Sequence, residues 1–134
     1  MARWIVPLGS IDFGLLVLRL GFGLALSFTH GLPKLFSLEK FCSRLAEGGY
    51  PFPLLLGPAA MASELVGGLL LALGFFTRPA ATLVLVTMLT AAFKAHGGEP
   101  FARKELALAY AVVALVLLIT GPGRHSLAAR LGRG

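Results

Sequence analysis

The chain has 134 residues, of which 57% are hydrophobic and only 13% charged, and its mean hydropathy is +0.85. An ordinary soluble domain carries about 25% charged residues, and a chain this short has too much surface to cover with so few, so a soluble fold is excluded and apolar residues must face lipid. The formal charge of +6 does not point to nucleic acid, because the basic residues are strung between apolar segments instead of massed on one face.

Those cations read as loop charges that orient the chain and meet anionic head groups. Cys42 is the single cysteine, which rules out an internal disulfide and a Cys-x-x-Cys redox pair. Along Met1 to Asp12 no secretory signal is convincing, because Arg19 interrupts the apolar run that an h-region would need. The first span, about 13–36, is therefore expected to be retained. Within it Arg19, Gly23, Leu26, His30 and Lys34 recur every three or four residues. At about 100° per residue they form one polar stripe of roughly 80°. Charges inside a span face the bundle interior and find partners there.

Ser37 to Pro53 is not apolar enough to insert. Leu38, Phe41, Cys42 and Leu45 share helical spacing, while Glu39, Lys40, Arg44 and Glu47 face elsewhere. The pattern predicts a short amphipathic helix at the interface, capped by Ser37 and ended by Gly48-Gly49, with Tyr50 and Phe52 at head-group level. An ordered loop is the alternative.

The second span, about 54–76, holds one charge, Glu64, on a face of small residues (Gly57, Ala60, Gly67 and Gly68) that permits close helix approach. If the first span enters near Asp12, Arg19 lies about 10 Å deep, and Glu64, on a span entered from the other face, about 15 Å deep in a core of about 30 Å. The difference is about one helical turn and within arginine's reach. The two are thus expected to form a structural ion pair. Phe76-Thr77-Arg78-Pro79 forms a tight turn into the third span, about 79–95, with Pro79 in its first turn. The fourth span covers about 105–121. These last two are short and borrow length from Lys94 and Arg103–Glu105, whose stems snorkel.

The fold class is all-α: a four-helix transmembrane bundle forming one membrane domain over residues 1–134. Continuous apolar runs favour helices over barrel strands, and four spans place both termini on one side. Arg3, Arg78, Arg124, Arg130 and Arg133 lie there, against Lys34, Lys40, Arg44, Lys94, Arg103 and Lys104 opposite. The balance is close. Because several of the latter sit where they would serve a site, the termini are read as cytoplasmic.

His30, Lys34, Lys94, His96, Arg103, Lys104 and Glu105 all fall at the mouth away from the termini. Ligand binding is assigned to His30, Lys34, His96 and Glu105, whose imidazoles, charge and apolar floor suit a quinone head group or small anion. Anchoring of helix ends at head-group depth is the plainer alternative. His30 and His96 could face each other across a haem, but no further ligand spacing supports a metal centre. No phosphate loop or Ser/His/Asp arrangement is present.

Leu18-Arg19-Leu20-Gly21, His30-Gly31-Leu32-Pro33-Lys34, Glu64-Leu65-Val66-Gly67-Gly68, Thr77-Arg78 and Gly121-Pro122-Gly123-Arg124-His125-Ser126-Leu127 occur in an order and spacing that resemble the DoxX family, over Leu18 to Leu127. The resemblance implies a four-helix protein of the bacterial inner membrane, associated with oxidoreductase complexes such as thiosulfate:quinone oxidoreductase. It also implies that Arg19, His30, Lys34, Glu64 and the Gly121–Ser126 motif are the positions to watch. It supplies no reaction, and catalysis by this chain alone is not expected.

The leading expectation is a membrane subunit of a redox system that holds a quinone or similar lipophilic carrier. The rivals are a small proton-coupled transporter centred on Glu64 and an assembly partner without ligand. Membrane lipid and a redox subunit are the expected partners, with homo-oligomerisation left open and nucleic acid excluded.

Overall fold

The computed structural model describes residues 10–95, 98 and 100–132. Among them every regular element is helical. Helix α1, Ile11–Ala25, passes into a π turn, Leu26–Gly31, and then into α2, Leu32–Phe36. Together these make one rod of 26 residues, long and apolar enough to cross a membrane, and so does α4, Pro53–Leu73, with 21. Between them lies α3, Leu38–Glu47; beyond them come α5, Thr77–Thr90, a second π turn, Ala91–Ala95, then α6, Phe101–Thr120, and the single turn α7, Leu127–Arg130. The apolar segments thus became helices near the expected bounds, except that α4 stops at Gly74 and α6 starts at Phe101.

Local chemistry explains the boundaries. Ser10 caps α1 by accepting a hydrogen bond from the Phe13 N–H. The π turn precedes Pro33, which lacks an N–H and whose ring would meet the carbonyl four residues back. The Leu32 N–H reaches five residues back to Ser27 O, and the widened turn makes room for that ring. Gly74 ends α4 with φ of 72° and donates to Leu70 O and Leu71 O, a left-handed cap that suits glycine.

The expected helix between the first two rods is present, and Leu38, Phe41, Cys42 and Leu45 form its covered face. That face packs on α4. Ser37 does not cap α3 as expected; its hydroxyl donates to Pro33 O at 2.8 Å. It closes the rod before it instead of the helix after it, because a free carbonyl at the rod's end competes for the same hydroxyl.

The rod α1–α2 packs on α4, α4 on α5, and α5 on α6. Leu26, Leu71, Val84, Met88, Ala114 and Leu117 form the centre of the core, while large apolar residues on all these helices, among them Val17, Phe28, Val66, Val86, Val112 and Ile119, remain exposed. A water-soluble protein would not carry such an outer shell; lipid is its natural solvent.

Small residues set the contacts. The small-residue face expected on α4 serves three neighbours: Gly68 meets Gly23 and Ser27, Gly67 meets Val84, and Gly57 meets Cys42. At one close crossing, a Cβ on Gly31 would lie 2.5 Å from Leu65 N and 2.6 Å from its Cα. Both are backbone atoms and cannot swing away. Gly31→Ala is therefore expected to push the rod off α4 and destabilise the protein by about 2 kcal/mol. Thermal unfolding in detergent checks this; an unchanged midpoint would refute the close crossing.

Candidate functional site

Helix geometry decides which charges meet. Side chains lean toward the N-terminus of their own helix. The first rod and α4 are antiparallel, so Arg19 leans toward the end holding the termini, whereas Lys34 leans inward and Glu64 leans toward Lys34. Lys34 Nζ accordingly lies 2.8 Å from Glu64 Oε1, with side-chain exposures of 23% and 4%.

The expected Arg19–Glu64 pair is not formed. Gly23 lies against Gly68 and Ala72, and Ser27 donates to Leu65 O at 2.9 Å. This register sets Arg19 level with the last turn of α4, two turns from Glu64. The matched-depth assumption failed because the first rod overshoots α4 at the terminal end. Arg19 is fully buried; its guanidinium donates to Ala72 O at 3.3 Å and to His125 O. It closes the end of α4 and holds down the chain after α6.

That chain is the Gly121–Ser126 motif. Asp12 Oδ1 accepts from Arg124 N at 3.0 Å, Ala128 N donates to Gly74 O at 3.1 Å, and Ser126 Oγ donates to Gly123 O at 2.9 Å. Gly74 cannot be replaced here, because a Cβ would collide with the Arg19 guanidinium and with Ser126. Of the residues singled out by pattern, Arg19 and the motif thus belong to one end, and His30, Lys34 and Glu64 to the other region.

Around the pair, His30 is half-buried and sits edge-on to Tyr110 of α6, ring centroids 5.4 Å apart, and Tyr110 in turn meets Phe22 at 5.2 Å. Lys34 Nζ lies 5.3 Å from the Phe41 ring of α3 and donates to His30 O at 3.4 Å. Interhelical hydroxyl contacts continue inward, with Thr87 Oγ1 donating to Ser63 Oγ at 3.0 Å. The polar stripe of the first rod is interior, as its spacing demands: Arg19, Gly23 and Leu26 are buried, His30 and Lys34 half-buried.

Glu105 stands exposed near the start of α6. His96 lies outside the described residues, as do Arg3 and Arg133. Pattern reading missed Ser27, Phe41 and Tyr110. Phe41 and Tyr110 looked like ordinary apolar positions, and only packing reveals that they surround Lys34 and His30. Among the described residues no group of three or more His, Cys, Asp or Glu side chains is arranged to hold a metal ion.

No solved structure matches the chain. Over 108 residues, 72% of this chain and 76% of the other protein, it is 33% identical to the inner membrane protein YphA of Escherichia coli (strain K12). Residues 14–97 match the DoxX family model, a stretch that carries Arg19, His30, Lys34 and Glu64 and ends before the Gly121–Ser126 motif. The chain belongs to the DoxX family.

Proposed function

We propose that this chain is a four-span inner-membrane protein with cytoplasmic termini, and that it serves a membrane redox system by holding a quinone or similar lipophilic carrier beside His30 and Lys34. The membrane assignment draws on the two long apolar rods, the apolar outer shell and the likeness to an inner membrane protein. The carrier assignment draws on one observation above all: a cation held at 2.8 Å from a buried carboxylate and beside the Phe41 ring, next to a half-buried imidazole edge-on to Tyr110.

The donor set fits a carbonyl acceptor. Lys34 and His30 both carry N–H donors, while Phe41 and Tyr110 offer apolar and ring-edge contact to a flat head group. A quinone, when bound, would supply two-electron chemistry at this site. Glu64 holds Lys34 in place, so the ammonium is positioned before a ligand arrives. His30 can donate to a carbonyl oxygen or hold a proton at a ring nitrogen. His96 and Glu105 are proposed at the rim of the same mouth.

A proton-coupled permeation role would need Glu64 to exchange its proton with water. The lysine at 2.8 Å occupies that carboxylate, which favours the carrier reading. The test is equilibrium binding of a short-chain quinone to purified protein in nanodiscs. Saturable binding is expected, weakened about five- to tenfold by His30→Ala through loss of one hydrogen bond. Absence of saturable binding, or unchanged affinity in the variant, would overturn the proposal.

A further inference from the structure

At the end opposite the carrier site, a groove of about 510 Å3 runs between the C-terminal segment and the ends of α1 and α4. Its floor includes Leu16, Leu73 and Leu127, and its polar side Arg124, His125 and Arg130. We propose that this groove binds the head group of an anionic phospholipid, with the phosphodiester between Arg124 and Arg130 and the start of an acyl chain on the leucines.

Three observations carry this. First, the cations are available. The Arg124 side chain is 85% exposed, and its contact with Asp12 is loose, Nε to Oδ2 at 4.0 Å. Asp12 is itself engaged, through Oδ1, by the Arg124 backbone N–H. Arg130 is exposed on α7. Two guanidinium groups thus line one groove, and guanidinium forks match phosphate oxygens.

Second, the groove is built before any ligand arrives. Arg19 grips His125 O, Ala128 N grips Gly74 O, and Asp12 grips Arg124 N. Little ordering remains to be done on binding.

Third, the lining is amphipathic in the way one ligand class requires. Leu16 and Leu73 belong to the two rods able to cross a membrane, and Leu73 is exposed. They therefore lie where hydrocarbon meets head groups. A free phosphate would use the arginines and leave the leucines wet, whereas a phospholipid covers both. Basic pockets at the ends of membrane helices take anionic lipids for this reason.

The inference rests on the membrane assignment but not on the carrier. Purified protein would be placed in nanodiscs or detergent containing equal phosphatidylglycerol and phosphatidylcholine with identical chains, stripped stepwise, and its retained lipid counted by native mass spectrometry. The wild type is expected to keep one phosphatidylglycerol in roughly tenfold or greater preference over phosphatidylcholine. Arg124→Gln with Arg130→Gln should abolish the preference, and Arg124→Lys with Arg130→Lys should keep part of it. Equal retention of the two lipids by the wild type would overturn the proposal without reference to any variant. So would an unchanged preference in the folded glutamine variant, or displacement of the lipid by millimolar inorganic phosphate, which would mark a free-anion site.

Discussion

Lys34→Met is expected to destabilise the protein by about 3–5 kcal/mol, the range for stripping one partner from a buried ion pair. Glu64→Gln should cost less, about 1–3 kcal/mol. The asymmetry follows from position. Glu64 is 4% exposed on a short side chain and cannot escape, whereas Lys34, already 23% exposed, has a flexible stem that can carry its ammonium to the mouth. Lys34→Met combined with Glu64→Leu should recover much of the loss, because a well-packed apolar pair often replaces a buried ionic one at little cost. Denaturant unfolding in mild detergent measures all three. Equal effects of the two single changes, or a double variant that loses the sum of both, would refute the paired, buried geometry.

Arg19→Leu is expected to release the C-terminal segment. It removes the donor from Ala72 O and His125 O, and hydrogen bonds to charged groups contribute about 1.5–3 kcal/mol each. A loss of at least about 3 kcal/mol is anticipated, together with trypsin cleavage after Arg124 and Arg130 that is at least roughly tenfold faster. Arg19→Lys should restore little, since one ammonium cannot span two carbonyls as a guanidinium does. The effect should add to that of Lys34→Met, because roughly 12 Å of helix separates Arg19 from the level of Glu64. Unchanged proteolysis would show that Arg19 does not hold the segment.

The two predictions separate charges that pattern reading had joined. Spacing on the first rod correctly sent Arg19, His30 and Lys34 inward, because a lipid-facing charge is costly wherever it lies. Spacing on α4 likewise made Glu64 interior. The partner was misassigned for want of the helix register and the lean of the side chains. The lean was in principle legible: in antiparallel helices a residue of the first rod and one of α4 approach each other only if each leans toward the other, as Lys34 and Glu64 do.

The amino-acid sequence by itself determined the all-helical class, the apolar outer surface and the interior face of each charged segment, and left helix and ordered loop open between the first two rods. Composition and periodicity carry these properties because each depends on one element meeting water, lipid or core. Tertiary structure alone decided the pairings. Gly31 against Leu65 and Gly23 against Gly68 set how far the rods slide past each other, and that slide gave Glu64 to Lys34 and Arg19 to the end of α4. It also decided that Phe41 and Tyr110 wall the charged site, and that the Gly121–Ser126 motif folds back over Gly74 instead of trailing away. Register depends on backbone contact between residues 34 to 45 positions apart, Gly31 to Leu65 and Gly23 to Gly68, and no local pattern records a distance of that kind.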